Sequence, residues 1–229
     1  MTSWRSSIGR AAAVAWKDLT AERRARTNFN AVVALAVVML LLFGFALGPE
    51  TEALREAAAG ILWLTILFAG VLSFNRSYQM ELEGGALEAL LLYPGSRKAI
   101  FIGKLVANLV FVLLVELLLV PLAAVLYDLP LAGVVPRLAL ILFLGSLGFV
   151  TLGTFYAAMA SRVRSREVLL PLLLFPMMVP ILVAAVAATA AVLVGDPMSE
   201  SSSWIQLMVI FDLIFLTASL FAFEHVIEE

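Results

Sequence analysis

The amino-acid sequence predicts an all-α membrane protein in which six helices span the bilayer. Its 229 residues are 63% hydrophobic and only 14% charged, with a mean hydropathy of +1.05, whereas a soluble domain is about half apolar and a quarter charged. The apolar residues form six runs of about 20 residues, the length that crosses a hydrocarbon core. Apolar and polar residues do not alternate within them, which favours helices over a β-barrel. This composition excludes an ordinary soluble enzyme, a disordered chain and a nucleic-acid-binding protein.

Six predicted spans follow a polar N-terminal segment of 28 residues. The first apolar run therefore begins too late for the short basic region that precedes it in a cleavable signal peptide. The spans are predicted at Phe29–Leu47, Ala57–Phe74, Ala99–Leu126, Leu138–Ala160, Val168–Val194 and Trp204–Phe223. Of the 15 Lys and Arg residues, 13 lie on or next to the side that holds the N-terminus. Because Lys and Arg accumulate on the cytoplasmic side, we expect both termini to be cytoplasmic.

The N-terminal segment, residues 1–28, is predicted to form an amphipathic elbow helix. One apolar stripe runs along it at steps of three or four residues, and it consists of Trp4, Ile8, Ala12, Trp16 and Leu19. A helix with such a stripe and basic residues elsewhere lies in the headgroup layer of the membrane. A plainer interpretation, that the segment is the positive-inside anchor of the first span, predicts the same location.

The loop between the second and third spans predicts a short cytoplasmic helix within about residues 79–93. Gly84 and Gly85 permit a break, good helix formers follow, and Pro94 ends the segment. A helix of about two turns is unstable alone and has to pack on something. Its acidic residues, Glu81, Glu83 and Glu88, would be repelled by an anionic leaflet, which favours a protein partner. The alternative is an ordinary solvated loop.

Two acidic residues lie deep within apolar runs, Glu116 in the third span and Asp212 in the sixth. Glu116 is roughly 18 Å along its helix from Lys104, and Asp212 is roughly 18 Å from Glu224, so both are expected near the middle of the bilayer. A carboxyl group there is costly unless it is neutral or paired, and no Lys or Arg lies at that depth, so we expect either a neutral carboxyl group or hydrogen bonds to Ser, Thr or Asn. One interpretation is a proton relay or a substrate contact. The other, which the scarcity of further titratable residues favours, is a polar contact between helices.

The fifth span contains three prolines, Pro171, Pro176 and Pro180. Each proline removes a backbone hydrogen bond and kinks a helix. Neighbouring helices are therefore expected to satisfy the freed carbonyl groups. The kinks are candidate hinges, although static packing explains them equally well.

The chain lacks the residues that several kinds of catalytic and binding chemistry require. It has no Cys and one His, His225, so it cannot build a thiolate nucleophile or a Cys/His metal cage. It also lacks the G-x-x-x-x-G-K-[ST] motif that holds nucleotide phosphates. These absences speak against an intramembrane protease or a metalloenzyme, and we expect a non-catalytic chain with no metal site and no directly bound cofactor.

A set of short motifs follows the whole length of the chain in a characteristic order. They are Trp16-Lys17-Asp18-Leu19, Gly85-Ala86-Leu87-Glu88 with Leu90, Leu91 and Pro94, Gly103-Lys104 with Asn108, Leu147-Gly148-Phe149 with Gly153-Thr154, Glu167 to Pro171 with Pro176, Phe211-Asp212, and Phe223-Glu224. With this set the chain resembles the permease subunits of ABC-2-type (type V) transporters. Within that class it resembles the CcmB family of the cytochrome c maturation system.

The resemblance implies a permease domain at residues 29–229, in the inner membrane of a bacterium, that borrows its energy from a separate CcmA-like ATPase holding ATP and Mg²⁺. It makes the segment near residues 79–93 the coupling helix, with Glu81, Glu83, Gly85, Leu87, Glu88 and Leu91 at the ATPase interface, and Trp16, Lys17 and Asp18 the characteristic elbow residues. Further implied partners are a second copy of the chain, the membrane subunits CcmC and CcmD, and the periplasmic haem chaperone CcmE.

The resemblance is compatible with two functions. One is haem export, and the other is ATP-driven release of haem-loaded CcmE. Two further alternatives are an ABC-2 permease for a lipid-linked glycan or a drug, and a proton-coupled transporter that uses Glu116 and Asp212.

Overall fold

The computed structural model describes residues 2–25, 27–48, 51–83, 97–160, 166–196 and 199–226. These residues form seven α-helices: α1 Thr2–Ala25, α2 Thr27–Leu47, α3 Thr51–Glu83, α4 Arg97–Leu126, α5 Val135–Ala160, α6 Arg166–Leu193 and α7 Glu200–Val226. The last six each contain a stretch long and apolar enough to cross a membrane, whereas α1 does not. The predicted all-α membrane protein with six spans is thereby confirmed.

Helix α1 lies against α4 with its small residues and leaves its large apolar residues outside. Val14 and Ala15 are buried, whereas Ile8 is exposed and Trp16 is 73% exposed. The approach is close because α4 has a glycine at the contact: a Cβ at Gly103 would lie 2.7 Å from the carbonyl oxygen of Ala11. The outward side of α1 thus carries residues of the predicted apolar stripe, as expected for a helix that rests on lipid.

Helix α5 is the centre of the bundle and packs against α3, α4, α6 and α7. Its contact with α3 is built from glycines that accept aromatic rings. Gly145 faces the ring of Trp63, Gly153 faces the ring of Phe74, and Gly70 of α3 faces the ring of Phe149. In a membrane the hydrophobic effect does not drive helices together. Small residues stabilise the contact instead, because they let helices approach closely enough for tight packing.

At the end of the bundle where α3 begins and α4 ends, polar side chains join neighbouring helices. Arg55 near the start of α3 donates to the side chain and the carbonyl oxygen of Asp128, just after α4. Tyr127 donates its hydroxyl to the carbonyl oxygen of Leu40 in α2, at 2.7 Å. Helix α2 is otherwise the most peripheral span, with most of its side chains directed away from the bundle.

Two sequence-based boundaries are corrected by the structure. The loop expected from Asn75 is helical as far as Glu83, because no glycine or proline interrupts the sequence before Gly84. The elbow helix ends at Ala25, and α2 begins at Thr27, ahead of the apolar run.

Helix α6 is continuous through Pro171, Pro176 and Pro180. Pro176 and Pro180 are exposed and lie one turn apart on the same side of the helix. Helix α4 contains a further exposed proline, Pro121, and continues through it to Leu126. Whether the α6 prolines act as hinges stays a prediction.

Candidate functional site

The first intramembrane acid, Glu116 of α4, is buried and pairs with a hydroxyl group. Ser146 of α5 donates its hydroxyl to Oε1 of Glu116. This pairing confirms the expectation that a deep carboxyl group would find a Ser, Thr or Asn partner. It joins α4 to α5 across the middle of the bundle, as a polar contact between membrane helices does.

The second intramembrane acid, Asp212 of α7, has a different environment. Its side chain is buried, and within the described chain neither carboxyl oxygen has a hydrogen-bond partner. It lies against α5 at a glycine: a Cβ at Gly148 would be 2.5 Å from Oδ1 of Asp212 and 3.0 Å from Cγ1 of Ile181. For Asp212, the expected Ser, Thr or Asn partner is therefore not among the described residues.

The two acids lie at one level of the bundle but on different sides of α5. Their contact points, Ser146 and Gly148, are two residues apart, which is about 3 Å along a helix axis and about 200° around it. The expected common depth is confirmed, and it lies near the middle of α5. The body of α5 stands between the carboxyl groups, so no direct contact joins them through this helix.

A part-buried ion pair links the elbow helix to the bundle. The side chain of Lys104 in α4 is 0% exposed, and its Nζ lies 3.3 Å from Oδ2 of Asp18 in α1. Lys17 lies 3.2 Å from the other oxygen of the same carboxylate. Of the elbow residues singled out from the sequence, Lys17 and Asp18 are thus in one ion cluster, whereas Trp16 points away from it.

Further buried hydrogen bonds join helices at positions for which the sequence predicts no role. Asn108 of α4 donates to Thr154 of α5 at 3.0 Å. Trp63 of α3 donates its indole N–H to Thr189 of α6 at 2.9 Å. The motif set included Asn108 and Thr154, but a sequence alone does not indicate which threonine faces which donor.

The connection from α6 to α7 holds a second polar cluster. Asp196 accepts hydrogen bonds from the hydroxyl and the backbone N–H of Ser201, and Arg137 of α5 lies 3.4 Å from it. The Ser201 hydroxyl is the main reason why the pKa of Asp196 lies below its ordinary value of 3.8, with a smaller contribution from Arg137. A cavity of about 370 Å³ adjoins this cluster.

The predicted ATPase interface falls largely outside the described residues. Glu81 and Glu83 lie on the last turn of α3, where the structure describes the backbone only. The other interface residues lie outside the described ranges: Gly85, Leu87, Glu88 and Leu91. Within the described part of the chain, no group of three or more His, Cys, Asp or Glu side chains could hold a metal ion.

These observations define the class of the protein as a multi-span membrane protein of six apolar helices, with α5 at its centre and polar contacts at mid-depth, an architecture consistent with a permease. More narrowly, the chain belongs to the CcmB protein family, whose model matches residues 10–229.

Curated relatives cover most of the chain. The "Heme exporter protein B" of Rhodobacter capsulatus is 36% identical over 167 residues, which are 73% of this chain and 76% of the relative. The protein of the same name in Pseudomonas aeruginosa is 32% identical over 80% of this chain and 81% of its own length. That of Paracoccus denitrificans is 32% identical over 80% of this chain and 84% of its own length.

Proposed function

We propose that this chain is the transmembrane subunit of an ABC-type complex for cytochrome c maturation, acting in haem export or in the release of haem-loaded CcmE. A separate CcmA-like ATPase binds ATP and Mg²⁺ and drives it, and a second copy of the chain, CcmC, CcmD and CcmE complete the assembly. The observation that carries the proposal is the match of the CcmB family to residues 10–229, together with relatives named "Heme exporter protein B".

The sequence supports an external energy source, because it has no nucleotide-binding motif of the G-x-x-x-x-G-K-[ST] type. The segment proposed to meet the ATPase joins the end of α3 to the start of α4. Displacing it would therefore act on both helices at once.

Contacts at the start of α4 extend this connection to α1 and α7. Lys104 forms the ion pair with Asp18 of α1. The rings of Phe101 in α4 and Phe223 in α7 have centroids 5.1 Å apart, and the ammonium group of Lys98 lies 4.6 Å from the centroid of Phe221. Movement imposed at the segment would thus reach α1 and α7 as well as α3 and α4, through packed side chains and one ion pair.

Charge reversal tests the coupling assignment, and α3 offers a matched control at its other end. The combined change Glu81→Lys, Glu83→Lys and Glu88→Lys is expected to abolish co-purification of the ATPase, because it replaces acceptors for basic partner residues with like charges. The control carries Glu52→Lys and Glu56→Lys, at two exposed positions near the start of α3. Both variants are compared with the wild type for membrane content. Unchanged ATPase recovery with the first variant would remove the coupling assignment.

A deletion strain tests the assigned process. Loss of the chain is expected to abolish c-type cytochromes, and the intact gene is expected to restore them. Normal cytochromes in the deletion strain would instead favour a permease for another substrate.

Sealed vesicles that contain the complex separate the two forms of the proposal. ATP-dependent accumulation of haem supports export through the complex. ATP-dependent release of haem-loaded CcmE without haem accumulation supports a conformational relay.

A further inference from the structure

The two intramembrane acids differ in a way that separates their roles. Glu116 accepts a hydrogen bond from Ser146, so its contact with α5 explains why a carboxyl group is tolerated there. Asp212 is only 5% exposed, and neither of its oxygens has a hydrogen-bond partner within the described chain. An ionised carboxylate in such a place loses its hydration and gains nothing in return. A contact between helices therefore does not explain Asp212.

The surroundings of Asp212 suit a neutral acid better than a metal ion. Its carboxyl group lies against the backbone of α5 at Gly148, with Ile181 of α6 beside the same glycine. An aliphatic side chain supplies no oxygen ligand, whereas hard cations take six or more oxygen ligands. A protonated carboxyl group also avoids the cost of a buried charge, and the missing side chain at Gly148 lets it lie directly against α5.

Charged and titratable groups on the neighbouring helices do not compensate a negative charge at Asp212. On α4, Glu116 is itself acidic, and Lys104 is engaged by Asp18. On α5, Arg137 is about 16 Å and Tyr156 about 12 Å along the axis from Gly148. Residues 168–193 of α6 contain no titratable side chain, and on α7 itself Glu200 and Glu224 are each 12 residues from Asp212.

We propose that Asp212 is a proton-binding site at the contact between α5, α6 and α7, and that its carboxyl group holds a proton at neutral pH while α7 packs on Gly148. The site is separate from Glu116, because the body of α5 stands between them. Moving α7 away from α5 would expose the acid and allow the proton to leave. The proposal does not depend on the ATPase or on haem.

Infrared spectroscopy of the full chain in a maltoside detergent, which contains no carbonyl group, tests the proposal directly. The chain has four aspartates, and three of them form ion pairs: Asp18, Asp128 and Asp196. Labelling aspartate side chains with ¹³C should therefore shift one carboxylic-acid carbonyl band per chain at pH 7, and that band belongs to Asp212. A spectrum without an aspartate-derived acid band at pH 7 would overturn the proposal.

Substitutions assign the band independently. Asp212→Asn is nearly isosteric and neutral, and it is expected to remove the aspartate-derived band. Glu116→Gln is the matched control and should leave that band in place. An aspartate-derived band that persists in folded Asp212→Asn protein would show that another aspartate carries the proton and would overturn the assignment. If Asp212→Asn fails to fold, the isotope shift in the wild-type chain still decides the question.

Discussion

At the scale of single residues, an aromatic ring from the facing helix fills the space that a side chain would take at each glycine of the α3–α5 contact. Gly153 lies against the ring of Phe74, which is fully buried and therefore has no free space to move into. Gly60 of α3 is exposed, and a Cβ there would meet nothing within 4 Å. The same substitution at these two positions should therefore have opposite consequences.

Gly153→Ala is expected to destabilise the protein by about 1–3 kcal/mol, because the added methyl group overlaps the Phe74 ring and forces side chains or backbone to shift. Gly60→Ala is expected to leave stability unchanged or raise it by about 0.5–1 kcal/mol through better helix propensity. Thermal unfolding of the purified chains in one detergent measures both effects. Equal melting temperatures for Gly153→Ala and the wild type would contradict the packing described for this contact.

The intramembrane acids show how far single residues were predictable. Their common depth followed from the rise of a helix, because distance along a span depends only on residue count. Their partners did not follow, because the direction in which a side chain leaves a helix has meaning only once the neighbouring helices are placed. Ser146 and Gly148 both lie in an apolar run, and only the packed structure shows that one donates a hydrogen bond and the other makes room.

At the scale of elements, α1 is joined to α4 by an ion pair as well as by the apolar contact at Gly103. The ammonium group of Lys104 is fully buried, and the carboxylate of Asp18 is its ion-pair partner from α1. Removing one member of a buried pair is destabilising because the remaining charge loses that partner, whereas replacing both members with neutral side chains is often tolerated. The two kinds of change therefore separate the ion pair from the apolar contact at Gly103.

Asp18→Asn is expected to destabilise the contact between α1 and α4 by about 2–3 kcal/mol, since it leaves the buried ammonium group without this carboxylate; the value is at the low end for a buried pair because Asp18 is 16% exposed. The double variant Asp18→Asn with Lys104→Met should recover most of that loss, because it removes the buried charge as well. Protease cleavage of α1 in inverted membrane vesicles, which expose the cytoplasmic side, measures how firmly the helix is held. Equal cleavage of the single variant and the wild type would show that Asp18 does not hold α1.

The length of α3 marks where prediction of elements failed. Its apolar run ends near Phe74, and hydropathy therefore placed a loop directly after it. The helix nevertheless continues to Glu83, because backbone hydrogen bonding depends on the absence of breakers rather than on apolar side chains. In contrast, the six spans themselves were predictable, since lipid requires uninterrupted apolar length.

At the scale of the whole molecule, the ion pairs and aromatic contacts near the helix ends form two groups at opposite ends of the bundle, because neighbouring helices run antiparallel. The ion pair of Lys104 with Asp18 and the aromatic contact of Phe101 with Phe223 lie at one end. The pairs Arg55–Asp128 and Arg137–Asp196 lie at the other. Hydropathy identified the spans but not their neighbours, because a mostly apolar surface carries little information about which helix it meets.

The orientation of this bundle in the membrane is predicted by its basic residues and can be tested cleanly, because the chain contains no Cys. With 13 of 15 Lys and Arg on or next to the N-terminal side, the segment that follows α3 should be cytoplasmic and the connection after α4 periplasmic. Single cysteines at Ser96 and at Ala132 probe the two sides, and Ala132 is exposed. A membrane-impermeant maleimide should label Ala132→Cys in intact spheroplasts, and Ser96→Cys only in inverted vesicles.

Ser202→Cys, at an exposed position near the start of α7, should behave like Ala132→Cys because α7 begins at the same end of the bundle. Labelling of Ser96→Cys from outside would reverse the orientation and place the proposed ATPase interface out of reach of any cytoplasmic partner.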